Sequence, residues 1–543
     1  MLPTPGGGLY VVDWENCGLE DPSHELAMPV FDFGYRDKAR GAALVGAYRE
    51  AGGPGRLRSR ADFSMVIAQF SHFVEAAAVE WLDPASIEAD RAHAIARFEM
   101  HLERPLTIAV IDEILDSLAS WAVEVDGCYT DIMSLTTSLD VEAVRARFPA
   151  LNRLEGTRQA AYLDGPGGTQ VSQQVIDAMS AVLRDGISNS GGGFTTSDYA
   201  DLITAEARRA MADMFNADPN EISFGQNMTS ITFAVSRALA TTWAPGDAVV
   251  VTSLDHDANY TPWVRATADA GAEVRIAEFD PVTGELDPSA VGRLLDDRVR
   301  LVAVCVASNA IGTVVDVGTI AAMAHESGAL VYLDAVHACP HRLLDVKAFD
   351  CDFLVASSYK FFGPHTGILY GRLDRLEGLD AYKVRPAPSD PPGKLETGTQ
   401  SFESMAGVTA TVEYLAGLAG DTAGSRREHL VQAYSLINDH ERSLSERFLD
   451  GVASFPGVKV YGVPTADRRR VATFAIGVEG HRSEVVAAHM ARAGIYVWSG
   501  HYYAVNAMDR LGVLDEGGLV RVGFVHYNTA AEVDRVLEAL ADL

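Results

Sequence analysis

Cysteine is scarce. The 543-residue chain has five, Cys17, Cys128, Cys305, Cys339 and Cys351, too few and too scattered for a disulfide framework, and no CxxC pair suggests a structural zinc. The expected compartment is therefore the reducing cytoplasm. Basic charge is also short: 44 Lys and Arg face 74 Asp and Glu, a formal net charge of −30. Nucleic-acid binding draws its affinity from cations that neutralise phosphates, so a nucleic-acid partner is discounted. No stretch of about 18 uncharged apolar residues occurs, and the opening MLPTPGGGLYVVDWEN lacks a basic region followed by an apolar one. Neither membrane spanning nor export is expected. Internal repeats and low-complexity tracts are lacking too. What is present is 48% hydrophobic residues in a chain well beyond the roughly 100–200 residues of one domain, which excludes disorder and implies more than one folding unit.

Residues 1–125 read as a short strand at 9–12, after the Gly6-Gly7-Gly8 turn, followed by helices over 25–33, 39–51, 62–81, 84–102 and 106–122. After a linker at 126–140, short Val/Ile/Leu/Ala runs alternate with helix-length amphipathic segments. The runs are 248–252, 273–277, 301–306, 330–333 and 353–356, and 317–325 is one of the helices between them. Buried apolar strands separated by helices predict a mainly parallel sheet covered on both faces, here a large α/β domain over 141–404. Residues 405–543 read as a smaller α+β domain with strands at 458–461 and 471–476 and a closing helix from residue 530. The Pro-rich stretch 384–394 reads as a loop.

In such sheets a ligand sits beyond the carboxyl ends of the strands. Four signals fall there: Asp334-Ala335-Val336-His337, Ser357-Ser358-Tyr359-Lys360, Asp255-His256-Asp257-Ala258-Asn259, and Gly225-Gln226-Asn227-Met228-Thr229, which opens a helix over 229–240. A lysine at a buried strand end loses basicity by desolvation and suits Schiff-base formation. An aspartate on a neighbouring strand end can pair with a pyridinium nitrogen. A helix N-terminus with Thr229, Ser357 and Tyr359 nearby offers donors to a phosphate, and a histidine can stack on a ring. Together these point to pyridoxal 5′-phosphate, although singly each is weak: a lone lysine after a strand is usually solvated, and a lone aspartate there is usually a turn former. His337, Cys339 and His341 do not read as a metal site, because Pro340 interrupts any helix that would align the two histidines.

Residues 141–543 resemble the class V aminotransferases of fold type I, in particular their cysteine desulfurase-like branch. The resemblance rests on Tyr162-Leu163-Asp164-Gly165-Pro166-Gly167-Gly168-Thr169, the Asp255 and Asp334 motifs, Ala307-Ser308-Asn309-Ala310-Ile311-Gly312-Thr313, Ser358-Tyr359-Lys360-Phe361-Phe362-Gly363-Pro364, Glu396-Thr397-Gly398-Thr399 and Val525-His526-Tyr527-Asn528-Thr529, in family order. It implies that Lys360 forms the internal aldimine, Asp334 binds the pyridinium nitrogen, His256 stacks on the ring and Asn309 lies near the ring hydroxyl. His337 takes a place where desulfurases often have Gln. Thr229, Ser357 and Tyr359 would bind phosphate, and Arg521 would hold the substrate carboxylate. Thr399 would reach the phosphate of the partner subunit in a homodimer with its site at the interface.

One position departs from that pattern. Desulfurases of the similar branch carry a mobile cysteine where this chain has Tyr503, in Trp498-Ser499-Gly500-His501-Tyr502-Tyr503-Ala504, and a phenol cannot do thiolate chemistry. A persulfide relay is therefore not expected. What remains is chemistry in which Lys360 removes the Cα proton of an L-amino acid, with β-elimination of a sulfur substituent as the first expectation. Transamination, epimerisation and decarboxylation are the alternatives, and a PLP-fold scaffold is the non-enzymatic one. His501 and Tyr503 are expected at the substrate, and the aromatic loop implies a bulky amino acid.

The start of the chain, Gly8-Leu9-Tyr10-Val11-Val12-Asp13-Trp14-Glu15-Asn16 and Asp21-Pro22-Ser23-His24-Glu25-Leu26-Ala27, resembles the C-terminal lobe of aminoglycoside phosphotransferase-type kinases. The resemblance would make Asp13 a magnesium ligand, but the catalytic loop and the nucleotide-binding lobe with its lysine have no counterpart here, so a working kinase is not expected. A truncated remnant serving as a docking domain, a fragment of a longer product and half of a split enzyme are the readings, the first two preferred.

Overall fold

The computed structural model describes residues 138–420 and 424–543, with Leu2–Pro3, Leu9–Tyr10, Val30 and Val45. Two compact units make up the chain, Met1–Leu135 and Thr136–Leu543. In the first, Leu2–Pro3 pairs antiparallel with Leu9–Tyr10, and Val30 and Val45 are helical and buried. The other elements expected there, the kinase-like motifs with Asp13, and Cys17 and Cys128 lie outside the described residues.

The second unit is built on a seven-stranded sheet. Its strands in chain order are β1 (Ile222–Gly225), β2 (Ala248–Thr252), β3 (Glu273–Ala277), β4 (Val299–Cys305), β5 (Leu330–Asp334), β6 (Phe353–Ser357) and β7 (Gly367–Gly371). They lie side by side in the order β1-β7-β6-β5-β4-β2-β3. All neighbours run parallel except β7, which is antiparallel to both β6 and β1. Every residue of β2, β6 and β7 is buried, as the unbroken apolar runs require when helices cover both faces. The expected strands at 248–252 and 273–277 keep their bounds, whereas β4, β5 and β6 shift or lengthen by one or two residues. That extension brings Asp334 and Ser357 into the sheet: Asp334 pairs with Cys305 on one side and Val355 on the other.

Helix α1 (Met228–Ala240) follows β1. Asn227 caps it by accepting from Ser230 N at 2.9 Å, and Ile231, Val235 and Leu239, one turn apart, bury its inner face. Helix α2 (Val317–Glu326) covers the sheet through Val317, Ile320, Ala321 and Ala324 after a cap by Asp316. Helix α3 (Phe402–Ala416) packs into the same core, which joins Phe402, Val408 and Tyr414 to the strands. Helix α4 (Arg426–Val452) starts from a Ser425/Glu428 capping box.

A second sheet is antiparallel, with β8 (Val458–Tyr461), β9 (Thr473–Val478), β10 (Trp498–Gly500) and β11 (Leu519–Gly523) in the order β8-β9-β11-β10. The strand expected at 471–476 begins two residues later. Helix α5 (Ala530–Ala541) closes over this sheet, around a separate core of Phe448, Phe474, Val522 and Phe524.

Several family-like motifs are structural. Glu396 receives two 2.7 Å bonds from the Arg208 guanidinium and one from Phe224 N at 3.0 Å, clamping the segment before Thr399 to β1. His526 Nε2 lies 2.6 Å from the Tyr414 hydroxyl, and Thr529 begins α5 with a capping box.

Candidate functional site

A cavity of about 670 Å³ opens at the carboxyl ends of β4, β5 and β6, and Asp334, Lys360, Asn309, His256, Arg521 and Tyr503 are among its lining residues. Thr229, His337, Tyr359 and His501 line it as well, so ten of the twelve expected site residues meet at one place. Ser357 and Thr399 do not line it. Ser357 is buried beneath it, because its Oγ accepts from Met228 N at 2.9 Å and ties β6 to the first turn of α1. Thr399 is exposed, with Asn189 Nδ2 at 3.5 Å from its hydroxyl.

Lys360 lies in the tight return from β6 to β7. Its Nζ donates to the carbonyls of Pro166 at 2.6 Å and Gly167 at 3.0 Å, in the glycine-rich turn after Tyr162. Burial, reinforced by the nearby Arg521 charge, lowers its pKa to about 7. Asp334 ends β5 and accepts from Val336 N at 2.9 Å; burial raises its carboxyl to about 6 even though the adjacent Lys360 pulls the other way. Behind it Asp255 is fully enclosed, hydrogen-bonded to Thr252 and, at 2.8 Å, to Asn259, and burial lifts it to about 8. His256 accepts from Ala258 N at 3.0 Å through Nδ1, and burial with the Lys360 and Arg521 charges lowers it to about 4, so its ring is neutral at ordinary pH.

The second sheet supplies the opposite wall. Arg521 on β11 donates to the Asn309 carbonyl at 2.9 Å and its guanidinium sits 4.6 Å from the Tyr502 ring centre, while its Nε is buried with no partner. Asn309 Nδ2 donates to Tyr502 O at 2.9 Å, and Asn309 Oδ1 is likewise buried and unpartnered. Tyr502 and Tyr503 both adopt left-handed backbone angles, φ 51° and 57°, unusual for two successive non-glycine residues. Asp257 N donates to Tyr503 O at 2.7 Å, and the Tyr503 ring stacks on His256 at 5.5 Å and 21°. The loop thus lays an aromatic ring on the histidine while Tyr503 itself stays 66% exposed. His337 Nε2 lies 3.0 Å from the Thr473 hydroxyl, and burial lowers its basicity.

The three described cysteines are buried, and burial raises each thiol above its ordinary pKa. Cys305 lines the cavity from the end of β4; Cys339 and Cys351 do not.

Asp164 was legible only as part of a motif. It is half-buried, with its Oδ1 enclosed and unpartnered, within electrostatic reach of both Arg521 and Lys360. Trp498, which lines the cavity beside Gly167, was expected only as pocket wall.

Pyridoxal 5′-phosphate fits this donor set. A deprotonatable lysine, a buried carboxylate on the neighbouring strand, a neutral imidazole and the N-terminus of the 13-residue helix α1 converge on one space, and two of its polar atoms lack partners.

Comparison with known proteins agrees. The family model described as aminotransferase class-V matches residues 161–536. A cysteine desulfurase of Enterobacter sp. (strain 638) is 32% identical over 419 residues, covering 74% of this chain and 98% of the relative. The aminotransferase-like protein FGM3 of Gibberella zeae is 31% identical over 414 residues, covering 75% and 98%. Among solved structures, the apo cysteine desulfurase of Thermococcus onnurineus NA1 superposes with a TM-score of 0.67 and 26% identity over 74% of this chain and 97% of that one.

Proposed function

This chain belongs to the class V aminotransferase family, a pyridoxal 5′-phosphate-dependent enzyme of fold type I, and from that premise we propose that it eliminates a sulfur substituent from the β-carbon of an L-amino acid. The carrying observation is the pairing of an intact Lys360 site with Tyr503 in the mobile-cysteine position and no accessible thiolate among the described cysteines.

Pyridoxal 5′-phosphate, when bound, supplies an aldehyde for the substrate amine and an electron-withdrawing ring that acidifies the Cα proton. Lys360 would link to that aldehyde, Asp334 would pair with the ring nitrogen, His256 would stack on the ring and Asn309 would meet the ring hydroxyl. Thr229 and the N-terminus of α1 would take the phosphate, with Tyr359 at its edge and Ser357 holding the helix in place. Arg521 would fork onto the substrate carboxylate. Lys360 Nζ, whose burial lowers its pKa to about 7 in the cofactor-free chain, would be the base for the Cα proton. Loss of the β-thiolate follows, and water completes the balance: an S-substituted cysteine plus water yields a thiol, pyruvate and ammonia. Tyr503 and Trp498 at the mouth favour a bulky substituent, with His501 beside them.

A homodimer whose partner receives Thr399 is part of this reading, supported by the exposure of Thr399 outside its own cavity. The N-terminal kinase-like segment has no catalytic part in it.

The test is a single-turnover experiment with cysteine, cystine, a cysteine S-conjugate, alanine and glutamate. Pyruvate and thiol release with the cofactor returned unchanged is the expected result. Accumulation of pyridoxamine phosphate would replace elimination by transamination, the alternative favoured by the name of the Gibberella relative. A protein that stays colourless with added cofactor would leave only a scaffold.

A further inference from the structure

Among the described residues, eight buried side-chain polar atoms lack a hydrogen-bond partner. Two of them, on Asn309 and Arg521, line the cofactor cavity, where a ligand is expected. Three others gather at a different place: His341 Nε2, Arg342 Nε and Glu441 Oε1. These residues line a second cavity of about 630 Å³, together with Arg442, Arg468 and Arg470. It lies between the segment after β5, helix α4 and the segment leading into β9. We propose that this cavity binds a small oxyanion that carries a hydroxyl, of the hydrogen-phosphate class.

The charge of the walls argues for an anion. Arg470 is 5% exposed, and its guanidinium bonds only to backbone carbonyls, of Val463, of Thr473 at 2.6 Å, of Val471 at 3.4 Å and of Ile311 at 3.5 Å. Arg342 bonds only to the Arg468 carbonyl. Neither forms an ion pair among the described residues: the Glu441 and Asp467 carboxylates on the same walls attract Arg342 and Arg470 only without direct contact, so one buried and one half-buried cation face the cavity with no directly bonded counter-ion. Enclosed charge of this kind is costly unless something pairs with it. Burial accordingly lowers the pKa of both, Arg470 to about 9.

The hydroxyl follows from Glu441. Its Oε2 is 2.7 Å from His341 Nδ1, while Oε1 is enclosed with no donor. A fully deprotonated anion would meet this carboxylate with repulsion; one bearing an O–H can donate to it and still accept from Arg342 Nε. Hydrogen phosphate satisfies both demands and sulfate only one. The volume also admits a small phosphate ester. On its other side the His341 ring packs edge-on against His337 at 5.2 Å, so the second cavity touches a residue of the first.

The experiment is isothermal titration calorimetry of the cofactor-loaded full chain in phosphate-free buffer, so that the cofactor's own phosphate site is filled. Inorganic phosphate, methyl phosphate and sulfate are titrated at matched ionic strength. Saturable phosphate binding is expected, with sulfate at least about tenfold weaker and Arg342→Ala and Glu441→Gln each weakening phosphate by about tenfold or more. Methyl phosphate binding equal to phosphate would identify the ligand as an ester, and weaker binding as the free ion. Arg342→Lys, which keeps the charge but loses Nε, should also weaken binding and guards against loss of fold in the alanine variant; retained cofactor absorbance verifies folding. Absence of saturable phosphate binding, sulfate binding as tightly as phosphate, or affinity unchanged in folded Arg342 variants would overturn the proposal.

Discussion

Lys360 is cationic in the unfolded chain up to about pH 10.4 but loses its proton near pH 7 when folded. Between these values the unfolded chain holds a proton that the folded chain lacks, so Lys360 makes the cofactor-free protein gain stability as pH rises, by at most about 1.4 kcal/mol per pH unit. Asp255 acts in the opposite sense up to about pH 8, its raised pKa costing stability as pH rises, so the lysine is isolated by comparing variants. Cofactor-free Lys360→Met should be more stable than wild type at about pH 7, the gap narrowing toward about pH 10 in denaturant titrations. A gap that ignores pH would mean that the lysine is not held neutral. Tyr502→Phe loses the hydroxyl bond to the Leu519 carbonyl but keeps the ring against Arg521, so it should cost about 1 kcal/mol with little change in substrate capture. Lys360, Asp334, His256 and Arg521 could be picked out in the sequence because each combines a chemically apt side chain with a strand end or a family motif. Asp164, His341 and Glu441 could not be given their surroundings in advance, since Glu441 meets His341 across 100 residues of chain.

At the level of elements, β2 and β3 were legible to the residue, β2 as a short apolar run and β3 as a β-branched edge segment, Val274 and Ile276 among charged residues, set off by Gly271. Strand β7 was not: Gly367–Gly371 is as apolar as its neighbours, and nothing local tells whether a buried strand runs up or down. Strand β1, four residues long, was hidden in the approach to its helix. The Arg208–Glu396 clamp shows what such short elements depend on. Arg208→Ala strands Glu396 beside Phe224 N and should destabilise the protein by up to about 3 kcal/mol in urea unfolding, less at low pH where the carboxyl escapes by protonation. In the loop after β10, Tyr503→Asn keeps a residue tolerant of left-handed backbone but removes the ring. It should leave thermal stability within about 1 kcal/mol of wild type while raising KM for bulky substrates; an equal KM would show that the ring has no part in recognition.

At the scale of the molecule, every described lining residue of both cavities falls within Thr136–Leu543, and the described residues of the two cores around the sheets run from 144 onward. Deleting residues 1–125 should therefore leave the visible band of the bound cofactor intact; its loss would assign the N-terminal unit a structural duty. Added cofactor should raise the melting temperature of the full chain, by mass action worth about 2.7 kcal/mol at a hundredfold excess over Kd. The cofactor cavity is divided between two sheets of different construction. Lys360 sits in a nine-residue return in which several amides are closed within it or onto the adjoining turn, Ser358 N to Thr366 O, Gly363 N to Ser358 O and Phe362 N to Thr169 Oγ1. Across from it, the Tyr503 amide is held by the His501 side chain alone at 3.1 Å. Hydrogen exchange should separate the two sides in time: deuterium should enter the tyrosine loop through local opening and reach the lysine return only when the sheet itself comes apart.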